Sequence, residues 1–315
     1  MEKEITIEEK EAGGRIDKFL AVKFPDYPRN FFQKELEKGA VLLNGEMVLS
    51  RQKLKVSDQI KLEISEYPQN TLELKSQPEI EVEVIAGNKD FLVINKPAGI
   101  SVHPSWSEQQ NTLANGLIAR FPELEGVGEN ELRPGIVHRL DKKTSGLILV
   151  ARKQESFLEL KKLFQNRKII KKYQAICWGR VKKKGVTKGF IGRSRKYPTR
   201  QATSKYPEKL INPKSAVTEI KPLESGKRTS LLEVVPQTGR KHQIRIHLHA
   251  LGHPIVGDDK YASQRVARFN RIFDRHLLHA ESLKFSFQGK SHYFTTSAPF
   301  QGLAEINRKI KSLGG

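Results

Sequence analysis

The sequence predicts an α+β protein, and three observations carry that reading. Short runs of β-branched and aromatic residues recur beyond residue 80, at 80–85, 91–95, 146–151, 169–178, 215–222 and 230–235. Helical patterns interrupt them, yet the two kinds never fall into the strict alternation of a doubly wound parallel sheet. At 315 residues, 37% of them hydrophobic, the chain has material for one large domain and a small one.

Residues 13–65 read as the small module. A helix over 15–24 places Ile16, Phe19, Leu20 and Phe24 on one face. Pro28 suits the first turn of a second helix that runs to Lys38, and Gly39 suits the left-handed cap that ends it. Val41, Leu42 and Leu43 then lead into Asn44-Gly45, the strongest short hairpin signal. A polar connector over 67–79, with Pro68 and Pro78, divides this module (1–66) from the rest (80–315). Beyond it, Phe157, Leu160 and Phe164 mark a helix over 154–166, and the lysine-rich stretch 181–188 reads as an exposed loop. Residues 238–249 read as a turn opening a helix. Ile244, Leu248 and Leu251 form its buried stripe, with Arg245 and His249 on another face.

Charge narrows the function. The formal net charge is +21, although residues 1–66 carry −1. Between residues 133 and 200 there are 21 Lys and Arg against three acids, Asp141, Glu155 and Glu159. A field this local attracts phosphate backbones. A membrane surface is the competing polyanion, but there is no basic amphipathic helix with aromatic anchors and no lipidation signal. Cys177 is the single cysteine, which rules out intramolecular disulfides and multi-cysteine zinc sites; its apolar setting reads as a buried strand. The acidic start Met1-Glu2-Lys3-Glu4 lacks a leader's apolar core, and runs such as 147–151 are too short to span a bilayer. A cytoplasmic monomer is the expectation. Four histidines (His242, His247, His249, His253) crowd twelve residues, but none forms a His-Glu-x-x-His pair and no carboxylate or cysteine interleaves before Asp258, so no metal is expected.

Within the basic stretch stands His138-Arg-Leu-Asp141-x-x-Thr-Ser-Gly146. On residue types alone, Asp141 paired with a neighbouring arginine at a turn accounts for it, since structural ion pairs are common. Other segments change the weighing: Asn95-Lys96-Pro97-Ala98-Gly99 with His103-Pro104, Lys171-Lys172-Tyr173-Gln174-Ala175 with Gly179, the run from Thr238 to His247, Gly252 to Asp258, and Leu278-His279-Ala280. In this order they resemble the signatures of the RluA-type pseudouridine synthases, across most of residues 80–300. The small module resembles the alpha-L RNA-binding motif, with Ser57-Asp58 where that motif usually shows Gly-Asp.

The resemblance implies a mixed, largely antiparallel central sheet with helices around it, and the isomerisation of uridine to pseudouridine within RNA. Ribosomal RNA of the large subunit is the first expected partner and transfer RNA the second. A stacked base cannot undergo this reaction, so it must be flipped out, at a cost of a few kcal/mol. Asp141 then acts on the sugar, by attacking the anomeric carbon or by deprotonating the neighbouring ribose carbon. Arg139, two residues earlier, is implied as the wedge that fills the vacated stack; its own chemistry equally fits a phosphate contact. Tyr173 is implied to stack on the uracil and to help remove the carbon 5 proton, with Lys171 beside it, and Arg245 to pair with Asp141. His138, Arg240, His242 and Gln243 are implied on the RNA side of the pocket, and Arg29 and Lys34 on the small module's RNA-facing helix. The reaction is redox-neutral and takes no outside group, so no cofactor is implied. A non-catalytic RNA-binding relative would be expected to lack Asp141 or its partners; a glycosylase would use similar groups but leave an abasic site.

Overall fold

The computed structural model describes residues 2–25, 27–64, 73–105, 108–197 and 199–312. The chain divides into two compact units, 1–71 and 72–315. Of the expected connector, 67–72 lies outside the described residues, and its later part is bonded into the second unit. The Lys75 carbonyl accepts from Asn115 Nδ2 at 2.7 Å, and Gln77 Oε1 accepts from the Asn111 N–H at 2.7 Å.

The first unit holds β1 (Glu2–Thr6), α1 (Ile16–Lys23), α2 (Arg29–Lys38), β2 (Val41–Leu43), β3 (Glu46–Met47) and β4 (Gln59–Glu63). Its antiparallel sheet has the order β1-β4-β2-β3. The expected apolar spacing is realised: Ile16 and Leu20 of α1, with Phe32 and Leu36 of α2, pack on Val41, Leu43, Ile60 and Leu62. Gly39 ends α2 at φ 80°, a conformation that costs a side chain dearly. Residues 2–6 form a solvent-facing edge strand that apolar alternation does not predict, because most of its residues are charged.

The second unit contains β5 (Glu83–Gly87), β6 (Phe91–Lys96), α3 (Leu113–Arg120), β7 (Ser145–Ala151), α4 (Gln154–Gln165), β8 (Ile170–Trp178), β9 (Gly185–Ser194), β10 (Gln201–Ser204), β11 (Leu210–Ser225), β12 (Thr229–Pro236), α5 (Gln243–Ala250), α6 (Gln264–Asn270), β13 (Leu278–Phe287), β14 (Lys290–Thr295) and α7 (Leu303–Lys311). Ten strands make one sheet in the order β10-β9-β11-β12-β8-β13-β7-β6-β5, with β14 on β13. Among the described pairs of strands, only β13–β7 is parallel. Strands β6 and β7 are buried on both faces, because Leu92, Ile94, Ile148 and Val150 meet α3 while Phe91, Val93, Leu147 and Leu149 meet Phe157 and Leu160 of α4.

Two details differ from the sequence reading. The lysine-rich loop is shorter than 181–188, because β9 begins at Gly185 and pairs with β11. Leu251 is 48% exposed, since α5 stops at Ala250 and Gly252, at φ 81°, turns the chain away. Arg245, on another face of α5 than Ile244 and Leu248, is buried as well.

One row of the sheet aligns several of the residues singled out in the sequence. Reading across strands, Val234 stands opposite Tyr173, Tyr173 opposite Ala280, Ala280 opposite Gly146, and Gly146 opposite Lys96. At Gly146 φ is 113°, and an added Cβ would collide with the backbone of Ala280. Glycine there lets the parallel pairing form directly after the loop that carries Asp141.

Candidate active site

Asp141 lies on the loop between residue 137 and β7, and this loop is tied down from three sides. Lys96 Nζ, fully buried, donates to the carbonyls of Pro97 (2.6 Å), Ile100 (2.9 Å) and Lys142 (3.2 Å). Burial drives the Lys96 amine down to about 7, opposed by the Asp141 charge, while three carbonyl partners match the three N–H of an ammonium. The Gly99 N–H donates to the Lys142 carbonyl at 2.9 Å, and the Thr144 N–H to the Asp141 carbonyl at 3.0 Å. Thr144 Oγ1 lies 2.7 Å from His276 Nε2, and Ser145 Oγ accepts from Arg275 Nη1 at 2.7 Å. Exposed ion pairs from Lys142 to Glu108 (2.7 Å) and Lys143 to Asp259 (2.8 Å) flank the loop.

Arg245 reaches this loop from the first turn of α5. Its Nη1 donates to Asp141 Oδ2 at 3.0 Å, and its Nε and Nη2 donate to Asp258 at 2.7 and 2.9 Å. The guanidinium also faces the Tyr261 ring, 5.1 Å from its centroid. Burial works against ionisation of Asp141, but His242 and the Arg245 guanidinium outweigh it and hold the carboxyl below its usual range. Burial likewise opposes the charge on Arg245, and Asp258 and Asp141 outweigh it, so the guanidinium stays charged.

Asp141, Tyr173, Arg139, Lys171, Arg240 and His242 line one pocket of about 480 Å³, a size suited to a small ligand. Tyr173 is 9% exposed, and burial together with the Asp141 charge pushes its phenol well above the usual value. The hydroxyl is therefore protonated at neutral pH. Burial holds the Lys171 amine below its ordinary value, and its Nζ stands 5.7 Å over the Phe164 ring. Arg139 is exposed at the rim. Its Nη1 lies 3.3 Å from Nε2 of His103, whose Nδ1 faces the Pro104 carbonyl at 2.9 Å, so the neutral tautomer that donates there leaves Nε2 to accept from Arg139.

Several residues expected to meet RNA have other occupations. His138 Nε2 accepts from the Leu149 N–H at 2.9 Å and its ring stacks on Phe164 at 4.4 Å. Burial, with Lys171 nearby, pushes it down to about 3, so it offers no charge to a phosphate and instead fixes the loop to β7. Gln243 is 4% exposed: its Oε1 accepts from Thr238 Oγ1 (2.7 Å) and the Arg240 N–H (3.0 Å), and its Nε2 donates to the Val217 carbonyl and Thr218 Oγ1. It braces the start of α5 on β11. His242 caps α5 at φ 58°, with Nδ1 2.7 Å from the Tyr261 hydroxyl and Nε2 3.9 Å from Asp141 Oδ1; burial pushes it to about 4, against the pull of Asp141. Arg240 keeps a half-exposed head, its Nε donating to the Ser215 carbonyl at 3.0 Å. In the first unit, Arg29 is drawn onto the buried carboxylate of Asp17 at 2.7 Å, while Lys34 is exposed on α2.

Lys96, His103, Tyr261, His276 and, above all, Asp258 join the site without being among the residues expected there. Lys96, His103 and Asp258 stand inside the quoted motifs, whereas Tyr261 and His276 lie outside them and carry no sequence signal. The four clustered histidines diverge: His242 goes to Tyr261, His247 to Thr218, His253 to the Trp178 carbonyl, and His249 stays exposed.

An aspartate braced by an arginine thus stands beside a buried tyrosine in one pocket of an α+β sheet. Comparison with known proteins gives the class. Residues 90–250 match the RNA pseudouridylate synthase family and residues 14–60 match the S4 domain. A protein of Chlorobaculum parvum named an uncharacterized RNA pseudouridine synthase is 36% identical, with 95% of this chain and 94% of that protein covered. The ribosomal large subunit pseudouridine synthase D of Neisseria meningitidis is 33% identical over 94% of this chain and 78% of its own length. Human RNA pseudouridylate synthase domain containing 1, a solved structure, aligns with a TM-score of 0.59 at 26% identity, covering 74% of this chain and 96% of that one. The chain belongs to the RNA pseudouridine synthases, of the RluA type, and carries an S4 domain at its N-terminal end.

Proposed function

We propose that Asp141 is the carboxylate that acts on the ribose of a flipped uridine, and that the uridine lies in large-subunit ribosomal RNA. The observation that carries the site assignment is the end-on Arg245–Asp141 contact at the pocket wall, which keeps the carboxylate ionised in a place where burial opposes it. The reaction breaks the bond from the sugar to uracil N1, rotates the base, and forms a bond from the sugar to carbon 5. The proton lost at carbon 5 is balanced by one gained at N1. Tyr173 is the group to assist that last transfer: its phenol is held neutral partly by the Asp141 charge, and that hold relaxes whenever Asp141 is esterified or protonated. Arg139 at the rim is placed to occupy the vacated stack.

The large-subunit assignment draws on the named Neisseria relative together with the S4 domain. It carries a cytoplasmic place of action with it, and we take the working form to be a monomer. The test is tritium release from large-subunit RNA labelled at uracil carbon 5. Asp141→Asn is nearly isosteric but neither nucleophile nor base, so release should fall by at least about 10⁴-fold with RNA binding and the thermal melt retained. Near-normal release by a folded Asp141→Asn protein would sink the assignment.

A further inference from the structure

Arg245 divides its hydrogen bonds unequally between two carboxylates, while the exposed Asp259 stands 4.0 Å from its Nη2. Asp258 takes the guanidinium side-on, through Nε and Nη2 at 2.7 and 2.9 Å, whereas Asp141 receives only Nη1, at 3.0 Å. Asp258 is completely buried and does not line the pocket. It is itself held rigidly. Its Oδ1 accepts the N–H groups of Lys260 and Tyr261, each at 2.9 Å, and its carbonyl accepts from Asn270 Nδ2 at 2.9 Å. Asn270 is fixed in turn, since its Oδ1 accepts from Trp178 Nε1 at 2.8 Å and the Gly257 N–H at 2.9 Å.

An arginine with one carboxylate partner tends to grip both of its oxygens in parallel hydrogen bonds. Such a grip on Asp141 would occupy both oxygens and blunt them as nucleophile or base. Here Asp258 occupies that fork and balances the charge of Arg245. Asp141 Oδ1 is left without a hydrogen bond from the guanidinium. The nearest ring nitrogen to it, His242 Nε2, is 3.9 Å away.

We propose that Asp258 is a positioning residue which neutralises Arg245 and holds it end-on, so that Asp141 keeps one oxygen free for the ribose. This rests on Asp141 being the reacting carboxylate. Asp258 touches no substrate atom, so its removal should act on turnover and only through Arg245.

The test is single-turnover tritium release from in vitro transcribed large-subunit RNA, with RNA affinity measured in parallel. Asp258→Asn keeps the shape and an acceptor for the two N–H groups but removes the charge. The rate should fall at least 100-fold with RNA affinity changed less than threefold. Asp258→Glu, which keeps the charge, should recover at least tenfold of that loss. In an Arg245→Gln background, adding Asp258→Asn should change the rate less than threefold, because the arginine it restrains is gone. That double variant is charge-balanced and carries the test should Asp258→Asn alone fail to fold. A wild-type rate for Asp258→Asn, or a full further 100-fold loss in the Arg245→Gln background, would overturn the proposal. Asp141→Asn run beside them separates the two failures. If it is active, the site assignment itself is wrong; if it is inactive while Asp258→Asn is unimpaired, only the role of Asp258 falls.

Discussion

Tyr173 owes its place in the pocket to its sheet neighbours. On its strand it shares a face with Lys171, Ala175 and Cys177, where a tyrosine is ordinarily core. Its sheet neighbours, Val234 and Ala280, set it in line with Gly146 and so beside the Asp141 loop. Tyr173→Phe keeps the ring and removes the hydroxyl. RNA affinity should stay within about threefold, while turnover should drop by about 10²–10⁴-fold if the hydroxyl assists proton transfer. Equal rates for Tyr173→Phe and the parent would restrict the residue to stacking. The motif residues were legible one by one in the sequence, but their occupations were not. His138 and Gln243 stand in the same motifs as Asp141 and Arg245, yet their polar atoms are taken up by the backbone of Leu149 and Val217 and by Thr218, Thr238 and Arg240. The bonds to Leu149, Val217 and Thr218 join residues 11 to 26 positions apart, and no local pattern announces them.

At the scale of elements, the short helices of the first unit depend on a carboxylate that no amphipathic pattern reveals. Asp17 is completely buried in the first turn of α1 and binds Arg15 (2.9 Å), Arg29 (2.7 Å) and Gln33 (2.7 Å), tying α1 to α2. This is why Arg29, expected on an RNA-facing surface, is committed to the fold. Removing the charge leaves two guanidiniums without their partner; since they are 38% and 41% exposed, Asp17→Asn should cost about 2 kcal/mol, below the 3–5 of a fully buried pair. Burial would raise the Asp17 carboxyl, but Gln33, Arg29 and Arg15 outweigh it and depress it. A depressed carboxylate contributes stability that is fully present above its unfolded value, about 3.9, and disappears as pH falls through the folded one. Denaturant melts of the parent should therefore lose stability below about pH 4 by more than melts of Asp17→Asn do. Parallel loss in both would refute the role given to Asp17. Helix placement itself was readable, because Ile16, Leu20 and Gly39 obey spacing and capping rules, whereas β1, built of Glu2, Lys3 and Glu4, carries no apolar alternation to betray it.

Across the whole molecule, the concentrated charge is the feature most open to measurement. The net charge of +21 arises beyond residue 66, and Lys182, Lys183 and Lys184 stand exposed just before β9. RNA affinity should fall steeply with ionic strength, and charge reversal at these three lysines should weaken binding and flatten that slope while sparing turnover at saturating RNA. An affinity independent of salt would contradict the electrostatic account. The large-scale topology was legible only as a class. The interspersed strands excluded a doubly wound sheet, but the row from Val234 to Lys96 joins five strands whose pairing no sequence spacing specifies.

The proposed reaction is the conversion of uridine to pseudouridine in large-subunit ribosomal RNA through Asp141. Its most direct test is pseudouridine mapping of total RNA from cells with the gene, without it, and without it but expressing Asp141→Asn. One or a few large-subunit positions should lose pseudouridine on deletion, regain it with the parent gene, and stay unmodified with Asp141→Asn. An unchanged large-subunit map on deletion, or restoration of the lost positions by Asp141→Asn, would contradict it.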